Sequence, residues 1–170
     1  GETLIRCDNF DDVRQTGNYE WNGRTLQEGE NGNIGLVEAG TEATLGYGSL
    51  SISNFILKFN AKVSYADGDA VPLAKIKYTD NSAIALTFLK NDGSGFIQIE
   101  ATGGKGDVDY DIAELADFDT LISNWMNIKI VSAAKSIEIY INTEKAIELG
   151  GYTLGGGAVA FGAGKSSPVY

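Results

Sequence analysis

Residues 54–65, NFILKFNAKVSY, decide the fold class, because apolar and polar side chains alternate along them. The first phase of this alternation is Phe55, Leu57, Phe59, Ala61, Val63 and Tyr65, and the second is Ile56, Lys58, Asn60, Lys62 and Ser64. A period of two is typical of a β-strand with one buried face. We therefore expect the Phe55 to Tyr65 phase to be buried and the phase of Lys58, Asn60 and Lys62 to be exposed.

The same alternation recurs toward the end of the chain, in segments separated by turn residues. Strands are predicted around the turns DNS (80–82), NDGSG (91–95), SAAKS (132–136) and NTEK (142–145), with a last strand in GGGAVAFGAG (155–164). A single helical turn is expected within residues 113–121. Many strands joined by close turns favour two packed antiparallel sheets over a parallel sheet with crossover helices.

The composition predicts an ordered globular chain and excludes several kinds of chemistry. The chain has 170 residues, of which 43% are hydrophobic, so one domain spanning residues 1–170 is expected. It has no His, which excludes a Ser-His-Asp triad, a Cys-His dyad and a His-ligated zinc site. The single cysteine, Cys7, excludes an internal disulfide and a cysteine metal cluster.

The charge balance disfavours two classes of partner. Lys and Arg number 13 against 23 Asp and Glu, which gives a net charge of -10. A charge of this sign repels phosphate backbones and anionic membrane surfaces, so we expect no nucleic-acid partner. No stretch approaches 18 consecutive apolar residues, and no membrane insertion is expected.

Residues 124–146, NWMNIKIVSAAKSIEIYINTEKA, resemble a strand pair of concanavalin-A-like lectin/glucanase domains, which include laminin-G-like domains. In this pattern Trp125 precedes Ile128 and Ile130, and Tyr140 lies at the centre of the next strand. Residues 6–12, RCDNFDD, and the GGGAVAFGAG segment are similar to parts of extracellular β-sandwich modules attached to bacterial polysaccharide-degrading enzymes. The resemblance implies an all-β fold: a two-sheet antiparallel β-sandwich, jelly roll, concanavalin-A-like. We expect Trp125 to anchor its core.

The run GDVDYDIAE (106–114) is the candidate for catalysis. Retaining β-glucanases of the same fold carry a Glu-x-Asp-x-x-Glu strand, whose two outer carboxylates act as nucleophile and general acid/base. Asp109, Asp111 and Glu114 keep this spacing, although the first position is a shorter Asp. The alternative, which we favour, is a solvated extended segment whose acids face water.

Calcium is the metal hypothesis, at either of two acidic runs. An EF-hand loop beginning at Asp107 fails, since its sixth position is Ile112 in place of Gly and its twelfth is Phe118 in place of Glu. In the related modules, the position of Asp8 and Asp11 often holds a structural calcium ion. The alternative for this second run is a network of Asx turns, and we favour that alternative.

Two surface features are candidates for ligand binding. Lys58, Lys62, Lys75 and Lys77 lie on the outward phase of consecutive strands. If those strands pair, they would form a basic patch for sulfate or uronate groups. The alternative, which we favour, is a set of ordinary solvent-facing lysines that discourage edge pairing.

The second candidate is the segment NYEWNGR. Within six positions it brings together aromatic rings, on which sugars stack, and hydrogen-bond donors. The predicted binding residues are Tyr19, Trp21, Asn22 and Arg24. The alternative is that Trp21 is a core anchor.

Three functional hypotheses follow from these features. The first is a non-catalytic carbohydrate-binding or adhesion module that takes a polysaccharide or glycan. We expect it to be extracellular, periplasmic or on the cell surface, as part of a larger parent protein. The second is a glycoside hydrolase that uses the carboxylates of residues 109–114. The third is a structural domain whose sheet face binds protein.

Overall fold

The computed structural model describes eight segments of the chain: residues 21–22, 25–29, 32–45, 54–78, 82–103, 110–133, 135–151 and 158–170. Their elements, in chain order, are β1 (Trp21–Asn22), β2 (Thr25–Gly29), β3 (Gly32–Leu36), β4 (Glu42–Leu45), β5 (Phe55–Ala61), β6 (Ala70–Tyr78), β7 (Ala83–Asn91), β8 (Ser94–Thr102), β9 (Tyr110–Leu115), α1 (Phe118–Ser123), β10 (Met126–Ala133), β11 (Ser136–Ile141), β12 (Glu144–Gly150) and β13 (Ala158–Gly162).

Two antiparallel sheets form the sandwich. The larger sheet has seven strands in the order β1-β4-β13-β6-β7-β8-β9, and the smaller has four in the order β12-β11-β10-β5. Strands β2 and β3 pair separately as a hairpin. The prediction of an all-β, two-sheet antiparallel jelly roll of concanavalin-A-like type is confirmed. The predicted helical turn is present but later than expected, because β9 takes the first residues of that region and α1 begins at Phe118.

The core lies between the inner faces of the two sheets, and its register follows the period of two. From the smaller sheet the fully buried residues are Met126, Ile128 and Ile130 of β10, Ile137 and Ile139 of β11, and Leu149 of β12. From the larger sheet they include Leu86 and Phe88 of β7 and Ile97 and Ile99 of β8. Strand β12 packs across the gap against β8 and β9.

The predicted register of residues 54–65 is confirmed. Ala61 and Val63 are buried, and the larger members of the same phase pack half-buried against the core: Phe55, Leu57, Phe59 and Tyr65. Lys58 and Asn60 are exposed. Lys62 is half-buried, because its side chain lies against two aromatic rings that are described below.

Each sheet contains a tight hairpin that sets the register of its two strands. Asp92 and Gly93 join β7 to β8 with φ values of 50° and 83°, and Asn142 and Thr143 join β11 to β12 with φ values of 49° and 75°. Two consecutive positive φ angles define the type I′ turn, whose twist matches that of paired strands. Thr143 carries a β-branched side chain at positive φ, an uncommon and costly conformation that the hairpin imposes.

The basic-patch hypothesis is wrong, because the strands that carry its lysines do not pair. Strand β5 lies at the edge of the four-stranded sheet, whereas β6 lies inside the seven-stranded sheet. Lys58 and Lys62 are therefore on a different sheet from Lys75. The Lys75 ammonium lies 2.7 Å from a carboxylate oxygen of Glu42 on the larger sheet, and the side chain of Lys77 lies outside the described part of the chain.

Asp69 fixes the segment that crosses between the two sheets. Its carboxylate accepts hydrogen bonds from the backbone N–H of Lys165 at 3.1 Å and of Ser166 at 2.9 Å. The hydroxyl of Ser167, which is fully buried, accepts a hydrogen bond from the N–H of Ala66 at 2.8 Å. These contacts tie residues 62–69 to residues 163–170.

The hydrogen bonds to Asp69 outweigh the effect of its burial on the pKa. Burial raises the pKa of this carboxyl, but donors from Ser166, Ser167, Lys165 and Ala70 together lower it below its ordinary value. The ionised form therefore stabilises the folded state. This contribution is fully present above the unfolded pKa of about 3.9 and is lost as the pH falls through the lower folded pKa.

We expect Asp69→Asn to lower the free energy of unfolding at neutral pH by about 1–2 kcal/mol, because the amide leaves part of this donor set without an acceptor. The difference from the wild type should shrink as the pH falls from about 4 through the lower folded pKa, because the folded aspartate is itself neutral only below that pKa. Urea unfolding at a series of pH values measures both effects. Asp92→Asn, at an exposed turn residue, is the control and should stay within about 0.5 kcal/mol of wild type. A pH-independent loss at position 69 would contradict the assignment.

Gly162 of β13 marks a close approach of two strands of the larger sheet. A Cβ added there would lie 2.3 Å from the backbone carbonyl oxygen of Pro72, whereas a Cβ at Gly150 would meet no atom within 4 Å. We expect Gly162→Ala to cost about 1–3 kcal/mol, since a backbone atom must move. Gly150→Ala should change stability by no more than about 0.5 kcal/mol. Thermal unfolding of the two variants, compared with wild type, tests this contrast.

Candidate functional site

Trp125 is exposed, and its prediction as a core anchor is wrong. Its side chain retains 48% of its accessible surface, the largest value among the exposed large hydrophobic residues of the described chain. The reason is parity: Met126, Ile128 and Ile130 are the buried phase of β10, so the residue before Met126 belongs to the outward phase. The sequence already contained this signal, because Trp125 is an odd number of positions from the apolar residues Ile128 and Ile130 and so belongs to the opposite face of the strand.

Trp125, Lys62 and Tyr170 form an aromatic row at one end of the four-stranded sheet. Lys62 and Tyr170 pair through two backbone hydrogen bonds of 2.9 and 2.8 Å. The Lys62 ammonium lies 5.2 Å from the Trp125 ring centroid and 5.3 Å from that of Tyr170. Cation–π attraction at these distances holds the lysine and orients both rings on the outer surface.

An amide row lies next to the aromatic row on the same outer face. Asn60 and Asn127 are register partners on β5 and β10, both are exposed, and the Asn127 amide donates to Asn60 Oδ1 at 3.2 Å. The side chain of Asn142 accepts a hydrogen bond from the Asn127 N–H at 2.9 Å. This row offers donors and acceptors within about 7 Å of the aromatic row, the spacing of two residues along a strand.

A basic row follows the amide row. Lys58 and Lys129 are register partners, Tyr140 is the partner of Lys129 on β11, and Lys145 is the partner of Tyr140 on β12. The Lys129 ammonium lies 4.5 Å from the centroid of the Tyr140 ring. The Lys145 ammonium lies 3.0 Å from a carboxylate oxygen of Glu148, and this hydrogen bond raises the pKa of Lys145.

The row beyond the lysines carries carboxylates on the two strands away from β5. Glu138 and Glu148 are register partners on β11 and β12. The hydroxyl of Tyr140 donates a hydrogen bond to Glu138, which raises the pKa of Tyr140. We call the outward surface of β5 and β10 together with Lys62, Trp125 and Tyr170 the 125 face.

The binding residues predicted from the sequence lie elsewhere. Tyr19 and Arg24 are outside the described residues, as are the predicted calcium ligands Asp8 and Asp11. Trp21 and Asn22 form β1, whose backbone pairs with Leu45 and Thr44 at the edge of the seven-stranded sheet. Their side chains are not described, so this site stays a prediction, on a different sheet from the 125 face.

The candidate catalytic carboxylates do not converge within the described chain. Asp111 and Glu114 lie on β9, which pairs with β8 in an unbroken register from Tyr110 to Leu115. Residues separated by three positions in a regular strand project to opposite faces. Both carboxylates are exposed, and Asp109 lies outside the described residues. Asp111 and Glu114 therefore do not face each other, and the pairing of Asp109 with Glu114, on which the hydrolase alternative depends, stays a prediction.

An open cleft of about 380 Å³ lies where β8 and β9 meet α1. Lys90 and Asp119 lie on its wall, 2.7 Å apart, and this hydrogen bond raises the pKa of Lys90. Within the described segments no group of three or more acidic, His or Cys side chains could hold a metal ion. None of their helices is long and apolar enough to cross a membrane.

Comparison with known proteins establishes the fold and no family. No family model matches the chain, and no curated protein matches it. Among solved structures, the carbohydrate-binding module CBM66 from Bacillus subtilis is similar with a TM-score of 0.57 at 10% identity, over 89% of this chain and 91% of that one. Ligand-free Crh5 transglycosylase has a TM-score of 0.58 at 16% identity, over 94% and 67%.

A third similar structure is domain 4 of AbnA, an extracellular GH43 arabinanase from Geobacillus stearothermophilus, in complex with arabinotriose. Its TM-score is 0.50 at 11% identity, over 86% of this chain and 74% of that one. At these identities the likeness shows the fold, a concanavalin-A-like β-sandwich, and leaves the ligand to be argued from the side chains of this chain.

The exposure of Trp125 makes a direct prediction about stability. Trp125→Ala should cost no more than about 1.5 kcal/mol, because the ring is half exposed and its main specific contact is a surface cation–π interaction. Met126→Ala, one residue further, removes a fully buried side chain and should cost about 2–5 kcal/mol. Urea unfolding measures the loss in free energy of unfolding for both variants. Equal losses would indicate that Trp125 is a core residue and would contradict the prediction.

Proposed function

We propose that this domain is a non-catalytic carbohydrate-binding module that holds a glycan on the 125 face. The observation that carries the proposal is the exposed Trp125 ring, oriented by Lys62 beside Tyr170 and followed by the Asn60 and Asn127 amides. Sugar rings pack their C–H faces on aromatic side chains, and their hydroxyls exchange hydrogen bonds with amides. A rigid strand surface holds these groups in place without a deep pocket.

The structural neighbours support the same class of ligand. One is named as a carbohydrate-binding module, and another is a domain of an extracellular arabinanase solved with arabinotriose. By analogy of fold, we propose that this chain is secreted and serves a larger polysaccharide-acting or adhesive protein. The proposal assigns no catalysis to it, and release of reducing sugar from a bound polysaccharide would contradict that part.

The segment with Tyr19, Trp21, Asn22 and Arg24 is a second proposed platform for the same function. Its described part, Trp21–Asn22, is strand β1 at the edge of the larger sheet, whereas the 125 face lies on the smaller sheet. The two proposals are separable by mutation, since Trp21 and Trp125 are the two tryptophans of the chain.

We expect affinity electrophoresis with arabinan, β-glucan and polygalacturonate to show binding to at least one of them, with a Kd of roughly 10 μM to 1 mM, typical of a shallow polar site. Trp125→Ala should weaken that binding about tenfold or more. The control is Ile112→Ala, which truncates an exposed apolar side chain on β9 of the other sheet and should leave binding unchanged.

Three outcomes decide between the platforms. Loss in Trp125→Ala with binding retained in Trp21→Ala supports the 125 face. The reverse result assigns binding to the Tyr19 segment, provided that Trp21→Ala remains folded by circular dichroism. Absence of binding to every polysaccharide of a wider panel would contradict the proposed function.

A further inference from the structure

The aromatic row crosses three neighbouring segments of the chain on one outer face. The register of β10 with β5 ends at Met126 and Ala61, so Trp125 and Lys62 are the next residues opposite each other. On its other side, the backbone of Lys62 exchanges two hydrogen bonds with that of Tyr170. Directly opposed residues of an antiparallel pair project to the same face of a sheet. The row therefore runs across the strands, from the Trp125 ring over Lys62 to the Tyr170 ring.

The two rings of this row are separated by two strand spacings. Neighbouring strands lie about 4.8 Å apart, so the row places Trp125 and Tyr170 about 10 Å from each other. The Lys62 ammonium lies 5.2 and 5.3 Å from the two ring centroids, which agrees with a position midway between them. Trp125 is 48% exposed and Tyr170 is half-buried, so both side chains keep surface that a ligand can contact. The 125 face therefore carries two stacking rings.

The separation of the rings matches the repeat of a polysaccharide. Each unit of an extended sugar chain adds about 5 Å, close to one strand spacing, so three consecutive units reach from one ring to the other. The first unit packs its C–H face on Trp125 and the third packs on Tyr170. The second unit lies over Lys62. Cation–π attraction orients this ammonium without using all of its N–H donors, so it can donate to hydroxyl oxygens of the middle unit.

The amide row flanks the same path on one side. Asn127 lies two residues beyond Trp125 on β10, and its register partner Asn60 lies two residues before Lys62 on β5. The hydrogen bond between these two amides holds both side chains in place. An amide group has two donors and one carbonyl acceptor, so each asparagine can still exchange hydrogen bonds with a hydroxyl group. The first and second sugar units each have one amide beside them.

We infer that the 125 face binds an extended stretch of at least three consecutive sugar units that lies across the strands, with one unit stacked on Trp125, one on Tyr170 and one over Lys62 between them. This inference rests on the proposed function and adds to it the length and direction of the ligand. The site is therefore built for a chain, because a single terminal sugar would use only one of the two rings.

The first measurement is the dependence of affinity on ligand length in the wild type. The probes are arabino-oligosaccharides, β-gluco-oligosaccharides and oligogalacturonates of one to six units, and dissociation constants are measured by calorimetry at about 0.15 M salt. In the series that matches the bound polymer, we expect the trisaccharide to bind about tenfold more tightly than the disaccharide, because only the trisaccharide reaches both rings. The fourth to sixth units lie beyond the row and should add no more than about threefold in total.

Variants then assign this gain to the second ring. In Tyr170→Ala the trisaccharide should bind within about twofold of the disaccharide, whereas Tyr170→Phe keeps the ring and should retain the gain. The matched control is Tyr140→Ala, which removes the same type of ring from the outer face of β11, outside the 125 face. The control should retain the gain, and an equal loss in the control and in Tyr170→Ala overturns the inference.

The remaining outcomes separate this inference from the proposed function. Suppose that Trp125→Ala weakens polymer binding, but affinity is complete with one or two units, rises steadily to six, or is measurable for no oligosaccharide. The proposed length and direction are then overturned, and carbohydrate binding stands. Polymer binding that is independent of Trp125, or no binding to any polymer, overturns both. The length series on the wild type needs no variant, so misfolding of a mutant cannot hide the answer.

Discussion

The pairing of residues 62–64 with residues 168–170 is the constraint on which both the sandwich and its candidate site depend. It covers the point where the chain leaves the four-stranded sheet, and it brings Tyr170 beside Lys62. Asp69 stabilises this arrangement from the next turn, by accepting backbone N–H groups of Lys165 and Ser166. The carboxylate lies away from the aromatic row, yet it helps to hold the C-terminal segment that carries Tyr170.

Local periodicity was sufficient to predict most of the described strands. The alternation in residues 54–65 gave the correct buried phase, and the turns at 91–95 and 142–145 gave the correct hairpins, because side-chain phase and turn chemistry are properties of neighbouring residues. The error at Trp125 came from residue type: a tryptophan before a strand was assigned to the core, although the phase of Ile128 and Ile130 places it outside. For a half-exposed aromatic ring, its position in the alternation of the strand predicts burial better than its hydrophobicity does.

The partition of strands between the sheets could not be predicted from the same patterns. The consecutive strands β5 and β6 show the same alternation of apolar and polar residues. Only long-range pairing determines that β5 joins β10 while β6 joins β7 and β13. The patch proposed from Lys58, Lys62, Lys75 and Lys77 failed for this reason. The basic row that the structure contains joins Lys58 to Lys129, which are 71 positions apart in the sequence, and no local signal links them.

The two faces of each sheet in a β-sandwich have different roles: inward side chains form the core, and outward side chains are exposed to ligands. Each inward side chain of β10 fixes the core, so the outward positions between them are free of packing constraints and can carry polar groups at a fixed spacing of about 7 Å. Trp125, Asn127 and Lys129 occupy three successive outward positions, and each has its partner on β5 or beside it: Lys62, Asn60 and Lys58. The sheet that forms the core also spaces the aromatic, amide and basic groups. The surface proposed for glycan binding is therefore ordered in advance, and such order lowers the entropic cost of recognition.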